Sequence, residues 1–277
     1  MSESSDPYFL GRMTEESERL KEQHQLSLRT LGFLIHPHIP TTSPTLKIAD
    51  IATGTGIWLM DLAETLPSSC ELIGYDISSA QFLPQSTWPP NVSLKIHSML
   101  IPFPEAELGT YDIVAIRYVS IAITAAEWKT AIKNLLTLLK PGGWIQWIDS
   151  DTLHFYQSRP GTSVAAMKEV FGGVATFSRS KNFAFGMIKR TSELYREEGL
   201  VDIWEDAFAG DRVAEDREKN TRNGVEAMKS ILGRIAAVPG SGWTVERRDR
   251  LLEEASKEAS AGAYFVLDQY CVIGRKP

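Results

Sequence analysis

The sequence predicts an α/β fold in which a mostly parallel sheet carries helices on both faces. Two observations predict it. Short apolar runs with β-branched residues, bounded by turn signals, recur at 46–51, 71–77, 92–96, 111–116 and 143–149. Helix-patterned segments lie between several of them, at 57–66 and 126–139. Strands that alternate with helices need crossover connections, and crossovers favour parallel neighbours.

The elements follow in order. Residues 13–34 pattern as a helix, with Leu20, Leu28, Leu31 and Leu34 interleaved with Glu and Lys. Pro37, Pro40 and Pro44 then break the chain, so 1–45 is read as an N-terminal helical cap and 46–277 as the main domain. LKIADI (46–51) is a buried strand, ATGTG (52–56) a flexible loop, and Ile57 to Leu66 a helix ended by Pro67. ELIGYDI, VSLKI and YDIVAI supply the next strands. Ala126 to Leu139 is a helix stopped by LKPGG, and GWIQWID (143–149) is a strand. From 151 to 190 the pattern is less regular and carries Phe155, Tyr156, Phe171, Phe177, Phe183 and Phe185. This stretch follows a strand end, where open sheets place ligands, and is expected to form a substrate lid; the alternative is an ordinary peripheral helical layer. A helix at 188–198, a strand at 201–208, helical additions within 209–260 and a last strand at 263–274 complete the chain.

Composition narrows the function. The chain has 277 residues, 43% of them hydrophobic, which is enough for one full-sized core. The formal net charge is -6, and no basic stripe of the kind nucleic-acid enzymes display is present. Arg247-Arg248 and Lys189-Arg190 sit beside acidic residues and read as solvated helix faces. A small or neutral partner is favoured over nucleic acid. Cys70 and Cys271 form neither a disulfide framework nor a zinc set. MSESSDPYF lacks the pattern of a secretory signal, and no apolar stretch approaches membrane-spanning length. The expected setting is the reducing cytoplasm, away from the membrane. The acids and histidines form no recognisable local chelate, so no metal is expected.

The sharpest signal is D-I-A-T-G-T-G, Asp50 to Gly56. Gly54 and Gly56 remove side chains where a cofactor approaches the backbone. The loop has a strand before it, a helix after it, and a second strand that ends in an acid, Asp76. An acid there can accept hydrogen bonds from both ribose hydroxyls; the plainer reading is a loop acid capping a turn. A nicotinamide fingerprint would need a third glycine at Leu59, and a P-loop would need Gly-Lys-Ser/Thr. Asp50 suits a ligand with an ammonium group and would repel a pyrophosphate.

These pieces resemble the class I S-adenosylmethionine (SAM)-dependent methyltransferases, and within them the fungal natural-product branch of secondary metabolism. The resemblance lies in LKIADIATGTGIWLMDLA (46–63), ELIGYDIS (71–78), YDIVAIR (111–117), LLKPGGWIQWID (138–149), VIGRKP (272–277) and YFLGR near the N-terminus. It implies a seven-stranded, Rossmann-like methyltransferase sheet with a helical cap. It also implies that Asp50, Ala52, Thr53, Gly54 and Gly56 surround the methionine part of SAM. Asp76 would hold the ribose, Ile77 would pack on the adenine, and Ser98 and Met99 would lie in the adenine region. Arg117 would stand near the sulfonium, and Tyr8 and Arg12 would close the site from above. Two departures stand out. Ala52 replaces a usual glycine and is tolerable if its φ stays negative; Ser98 replaces a usual acid.

Methyl transfer from SAM is an in-line displacement that needs alignment and exclusion of water. Oxygen is the expected acceptor, with nitrogen and carbon left open, and an oxygen also needs a base, for which histidine is best tuned. His154 or Asp151, just beyond the fifth strand, is the candidate base or substrate anchor. His24 is a further candidate if the N-terminal helix reaches into the pocket. His36 and His38 read as surface residues and His97 as structural. The aromatics of 151–185 suit an apolar or aromatic small molecule or ordinary core packing. Besides methyl transfer, the fold is compatible with a non-methylating cyclisation, dehydration or pericyclic reaction, and with a non-catalytic regulator. A homodimer is compatible with the sequence, which does not specify the oligomeric state.

Overall fold

The computed structural model describes residues 14–277. Tyr8 and Arg12, expected over the cofactor, lie outside the described residues.

A single sheet of strands β1 (Lys47–Ile51), β2 (Glu71–Asp76), β3 (Val92–Ile96), β4 (Tyr111–Arg117), β5 (Leu139–Gln157), β6 (Val201–Phe208) and β7 (Ala263–Arg275) organises the molecule. The strand order is β3-β2-β1-β4-β5-β7-β6. Strands β1 to β5 pair in parallel, and β7 runs antiparallel between β5 and β6. Ile48 to Ile51 are all buried, as expected for a central parallel strand covered on both faces. The order reverses beside β1, so the crevice beyond its C-terminal end is where such sheets receive ligands.

Alternate residues of these strands feed two cores. On one face Ile48, Leu72 and Ile113 meet Trp58, Leu59 and Leu62 of α2 (Ile57–Thr65). On the other, Ala49, Ile73 and Val114 share a core with Trp128, Ile132 and Leu135 of α3 (Ala125–Leu138). Helix α3 begins at a capping box in which Thr124 accepts from the Glu127 N–H and Glu127 accepts from the Thr124 N–H. Trp128 stacks on Trp147 of β5 with ring centroids 4.1 Å apart.

The stretch 151–190 is more regular than the sequence suggests. Strand β5 continues to Gln157, and this extension pairs with β7 as far as Gln157↔Ala263. A register shift between Asp151 and Leu153 interrupts the alternation that would have announced it. Helix α4 (Ala165–Ser180) follows and shares a third core with α6 (Arg217–Ala236) and α7 (Val245–Ala261), built from Val170, Phe171, Ile231, Leu232, Leu251 and Phe265. Its aromatics therefore serve both core packing and the cavity described below. A short helix, α5 (Thr191–Glu197), leads into β6. Helix α1 (Thr14–Leu31) packs on α6, where Arg19 donates to Asn223 Oδ1 at 3.1 Å and Asn223 donates back to the Arg19 carbonyl at 2.9 Å.

Candidate cofactor and substrate site

A cavity of about 590 Å³ lies beyond the C-terminal ends of β1, β2 and β4, within the size range of ligand pockets. One half is walled by the 51–55 loop, Asp76, Ile77 and residues 97–100. The other is apolar, with Ile123, Leu153, Phe171, Val174, Met228 and Phe265. Arg19, Leu20, Gln23 and His24 of α1 also line it.

The loop is shaped by its backbone. Gly54 and Gly56 have φ of 58° and 80°, which a side chain resists. A methyl group built on Gly54 would meet Leu20 of α1 at 3.8 Å, so the missing side chain leaves open space next to the backbone. Asp76 ends β2 with 8% exposure. Its Oδ2 accepts from the Gly54 N–H at 3.0 Å and its Oδ1 from the Ser78 N–H at 3.3 Å. The acid thus ties the glycine loop to β2 and stands on the cavity wall. Ile77, Ser98 and Met99 border the same half.

Ala52 corrects an expectation: its φ is 56°, not negative. Its methyl group is held in the left-handed region, where a Cβ costs about 1–2 kcal/mol. Ala52→Gly is therefore expected to stabilise the protein by about 1 kcal/mol and raise Tm by about 2 °C in a thermal melt.

Asp50 is also placed differently from the expectation. It is fully buried and lies beneath the cavity wall rather than on it. Its Oδ2 accepts from the Thr53 hydroxyl at 2.7 Å and faces Arg117 Nη2 at 3.7 Å, while Oδ1 has no hydrogen-bond partner among the described residues. Burial pushes its carboxyl up, and the Arg117 charge and Thr53 hydroxyl pull it back down. Arg117, at the end of β4, lines the cavity between the two halves and lies over the Trp58 ring at 5.5 Å.

The three candidate bases separate. His154 is exposed on the outer side of the β5 extension, beside Tyr156, and does not line the cavity. Strand alternation turns it away while Asp151 and Leu153 line the cavity, so its expected role as base is corrected. His24 lines the cavity but has both ring nitrogens engaged: Nε2 pairs with Asp61 Oδ2 at 2.8 Å, and Arg117 donates to Nδ1 at 3.2 Å. That arrangement requires the neutral Nε2–H tautomer, and burial followed by the Arg117 charge lowers its pKa accordingly. Asp151 lines the cavity with Oδ2 bound to Lys189 at 2.7 Å.

Other residues complete the cavity wall. Asp149 is buried at the end of the central part of β5 and accepts four hydrogen bonds. Arg19, Gln23 and Asn223 meet over the cavity, and Arg19 is held by Glu16 at 2.6 Å. Along the sequence Glu16 and Arg19 look like an ordinary solvated helix pair, and nothing local marks Asn223 as their neighbour. Among the described residues, no group of three or more His, Cys, Asp or Glu is placed to hold a metal ion, and no helix is long and apolar enough to cross a membrane.

Comparison with known proteins identifies the family. A family model described as a methyltransferase domain matches residues 48–143, from β1 into β5. The N-methyltransferase tcpN of Claviceps purpurea is 30% identical over 259 residues, covering 90% of this chain and 89% of that protein. This chain belongs to the class I SAM-dependent methyltransferases. The N-methyltransferase sirN of Leptosphaeria maculans is 38% identical over 146 residues, covering 53% of this chain and 50% of its own length. The fold agrees with that of phosphoethanolamine N-methyltransferase 2 of Haemonchus contortus, solved with SAM, at a TM-score of 0.52 and 14% identity over 92% of this chain and 52% of that one. The methyltransferase therefore uses SAM and methylates a small molecule, so the regulator and the non-methylating enzyme give way as readings. The residues present fit the cofactor. Asp76, on the cavity wall, can accept from ribose hydroxyls, and Gly54 leaves the backbone open.

Proposed function

We propose that this enzyme methylates a nitrogen on a small, largely apolar molecule held in the inner half of the cavity. The observation that carries the reading is the continuity of one cavity from the glycine loop to an apolar chamber in which His24 is engaged at both ring nitrogens and Asp151 is held at one oxygen by Lys189. An oxygen acceptor has to be deprotonated, and among the described residues His24 is committed at both nitrogens and Asp149 at both oxygens. A neutral amine nitrogen attacks through its lone pair, the C–S bond to the cofactor breaks, and the resulting ammonium releases its proton to solvent once the product has left the chamber. Of the acceptors the sequence left open, nitrogen is the one these residues favour over oxygen. The names of the fungal relatives tcpN and sirN, both N-methyltransferases, support the same choice.

Bound SAM supplies an activated methyl group on its sulfonium. The chain's residues do the rest by alignment. Asp76 orients the ribose, Ile77 and Met99 flank the adenine, and Ser98 takes the place of the usual adenine-binding acid. Thr53, Gly54 and Arg117 border the amino-acid end. Helices α1, α4 and α6 exclude water from the chamber, whose wall near α6 depends on Gly224: a Cβ there would lie 2.2 Å from the Phe265 ring. Asp151 anchors the substrate's N–H through the carboxylate oxygen that Lys189 does not hold.

The test is turnover of a panel of aromatic amines, amides and phenols with ¹³C-methyl SAM, read by the carbon shift of the transferred methyl. N-methyl products support the proposal; products carrying only O-methyl groups overturn it. Asp151→Asn is expected to lower kcat/KM by about tenfold through loss of one charge-assisted hydrogen bond, with S-adenosylhomocysteine affinity unchanged by calorimetry.

A further inference from the structure

Helix α1 lines the cavity with two pairs of side chains, and the members of each pair stand one helical turn apart. Leu20 and His24 face the glycine loop and α2: a methyl group on Gly54 would meet Leu20, and His24 pairs with Asp61. Arg19 and Gln23 form the other pair, which meets α6 at Asn223. Neither the cofactor nor the methylated nitrogen accounts for this second pair.

Arg19 is buried, and its guanidinium is bound on three sides. Nε and Nη2 donate to the two oxygens of Glu16 at 2.8 and 2.6 Å, and Nη1 donates to Asn223 Oδ1 and to Gln23 Oε1, each at 3.1 Å. A guanidinium has donors only, so the carboxamide of Gln23 meets it through oxygen alone. That contact fixes which end of the amide is which and turns Nε2 away from Arg19. Nε2 has no hydrogen-bond partner among the described residues. Arg19 and Asn223 border both the cavity and an outer groove that also contains Glu18, Glu22 and Glu226, whereas Gln23 borders the cavity and not the groove. Two N–H donors on a half-buried side chain are thus held at the cavity wall, on the side of α1 that meets α6.

We propose that Gln23 is a specificity-determining residue that donates to a carbonyl oxygen of the substrate, and that Arg19, held by Glu16 and Asn223, is the positioning residue that keeps the amide in this orientation. The proposal rests on reading the apolar half of the cavity as the substrate chamber. Water serves a half-buried amide N–H₂ in solution. A molecule that fills the chamber excludes that water and must supply an acceptor or leave the donors unpaired. A substrate with only apolar groups on this side leaves them unpaired. A carbonyl meets them, because its oxygen offers two lone pairs and carries no proton of its own. The chamber then asks two things of one molecule: an N–H for Asp151 and a carbonyl for Gln23. The substrate class is an amine that also carries a carbonyl group.

The experiment is a competition for the full chain between para-aminophenylacetone and para-propylaniline at saturating SAM, with the methylated products counted by mass spectrometry. The pair differs by a carbonyl in place of a methylene, and the methylene next to the ring keeps the two nitrogens similar as nucleophiles. The wild type is expected to favour the ketone by about tenfold in kcat/KM. Gln23→Leu removes the donors. Gln23→Glu keeps an oxygen for Arg19 while turning an acceptor toward the chamber. Both variants are expected to bring the preference to about one or below, with S-adenosylhomocysteine affinity by calorimetry within about twofold of wild type. The glutamate variant separates recognition from bracing, since a Gln23 that only held Arg19 would be replaced by Glu without loss. A folded variant of either kind that keeps the tenfold preference overturns the proposal. The matched phenols, para-hydroxyphenylacetone and para-propylphenol, are run alongside. A carbonyl preference seen on the phenols alone supports the role of Gln23 and overturns the nitrogen acceptor. A wild type that accepts none of the four compounds, or shows no carbonyl preference in either pair, overturns the role of Gln23.

Discussion

Asp76→Ala is expected to weaken SAM and S-adenosylhomocysteine binding by about a hundredfold or more, measured by calorimetry, with no binding of NAD in either protein. The carboxylate sits at the end of β2 on the cavity wall and is only 8% exposed, so water screens it poorly. Two hydrogen bonds from ribose hydroxyls to such an acceptor are each worth about 1.5–3 kcal/mol. The substitution also releases the Gly54 N–H, which Asp76 Oδ2 holds at 3.0 Å, and so loosens the loop that meets the cofactor. Both consequences act in the same direction. Asp76→Asn separates them: its carbonyl oxygen still serves the loop, while the second oxygen becomes a donor that one ribose hydroxyl can meet and the charge is lost. An intermediate loss of about tenfold is expected. Affinity unchanged by either substitution would remove Asp76 from the cofactor site.

What the sequence revealed and what it hid follow from the distance over which each constraint acts. The glycine loop and Asp76 were legible because a strand, a tight turn at positive φ, a helix and a second strand ending in an acid all fall within residues 47–76. Local chemistry dictates each of those residue types. His24 and Arg117 are 93 positions apart, and Arg19 and Asn223 are 204 apart, so their pairing is set by how helices dock rather than by any local pattern. His154 misled for a different reason. It follows a strand end that turned out to be the middle of a longer strand, and in an extended backbone neighbouring side chains point to opposite faces. Its position three residues beyond Asp151 would have mattered in a loop; in a ribbon it put the imidazole outside. Ala52 shows a further limit. Its identity was plain, but the positive φ that makes it strained is a property of the folded turn.

Asp149→Ala is expected to cost about 3–5 kcal/mol of stability, a fall in Tm of about 10 °C, even before any effect on turnover. Asp149 is 1% exposed and accepts from the N–H groups of Val119, Ser120 and Ser150 and from the Ser120 hydroxyl, at 2.8–3.0 Å. Removing the carboxylate leaves all four donors buried without a partner, which is the costly half of losing a hydrogen bond. Three of those donors, on Val119 and Ser120, belong to the turn after β4, where Tyr118 is held at a φ of 56° and its hydroxyl meets Ser27 and Gln269. The same carboxylate therefore fixes the segment on which Arg117 and the inner chamber wall are mounted. Burial pushes its pKa from 3.8 up to about 6 against the pull of the four donors. The folded state thus holds a proton more tightly than the unfolded chain, and this group's contribution to stability falls as pH rises from about 4 to about 6, then levels off. Asp149→Asn removes that titration but sets an amide N–H₂ against some of the donors. Denaturant melts across that pH range should show it less stable than wild type and flatter in its pH dependence. A wild type with no such slope, or an alanine variant as stable as wild type, would show that the turn is held by other contacts.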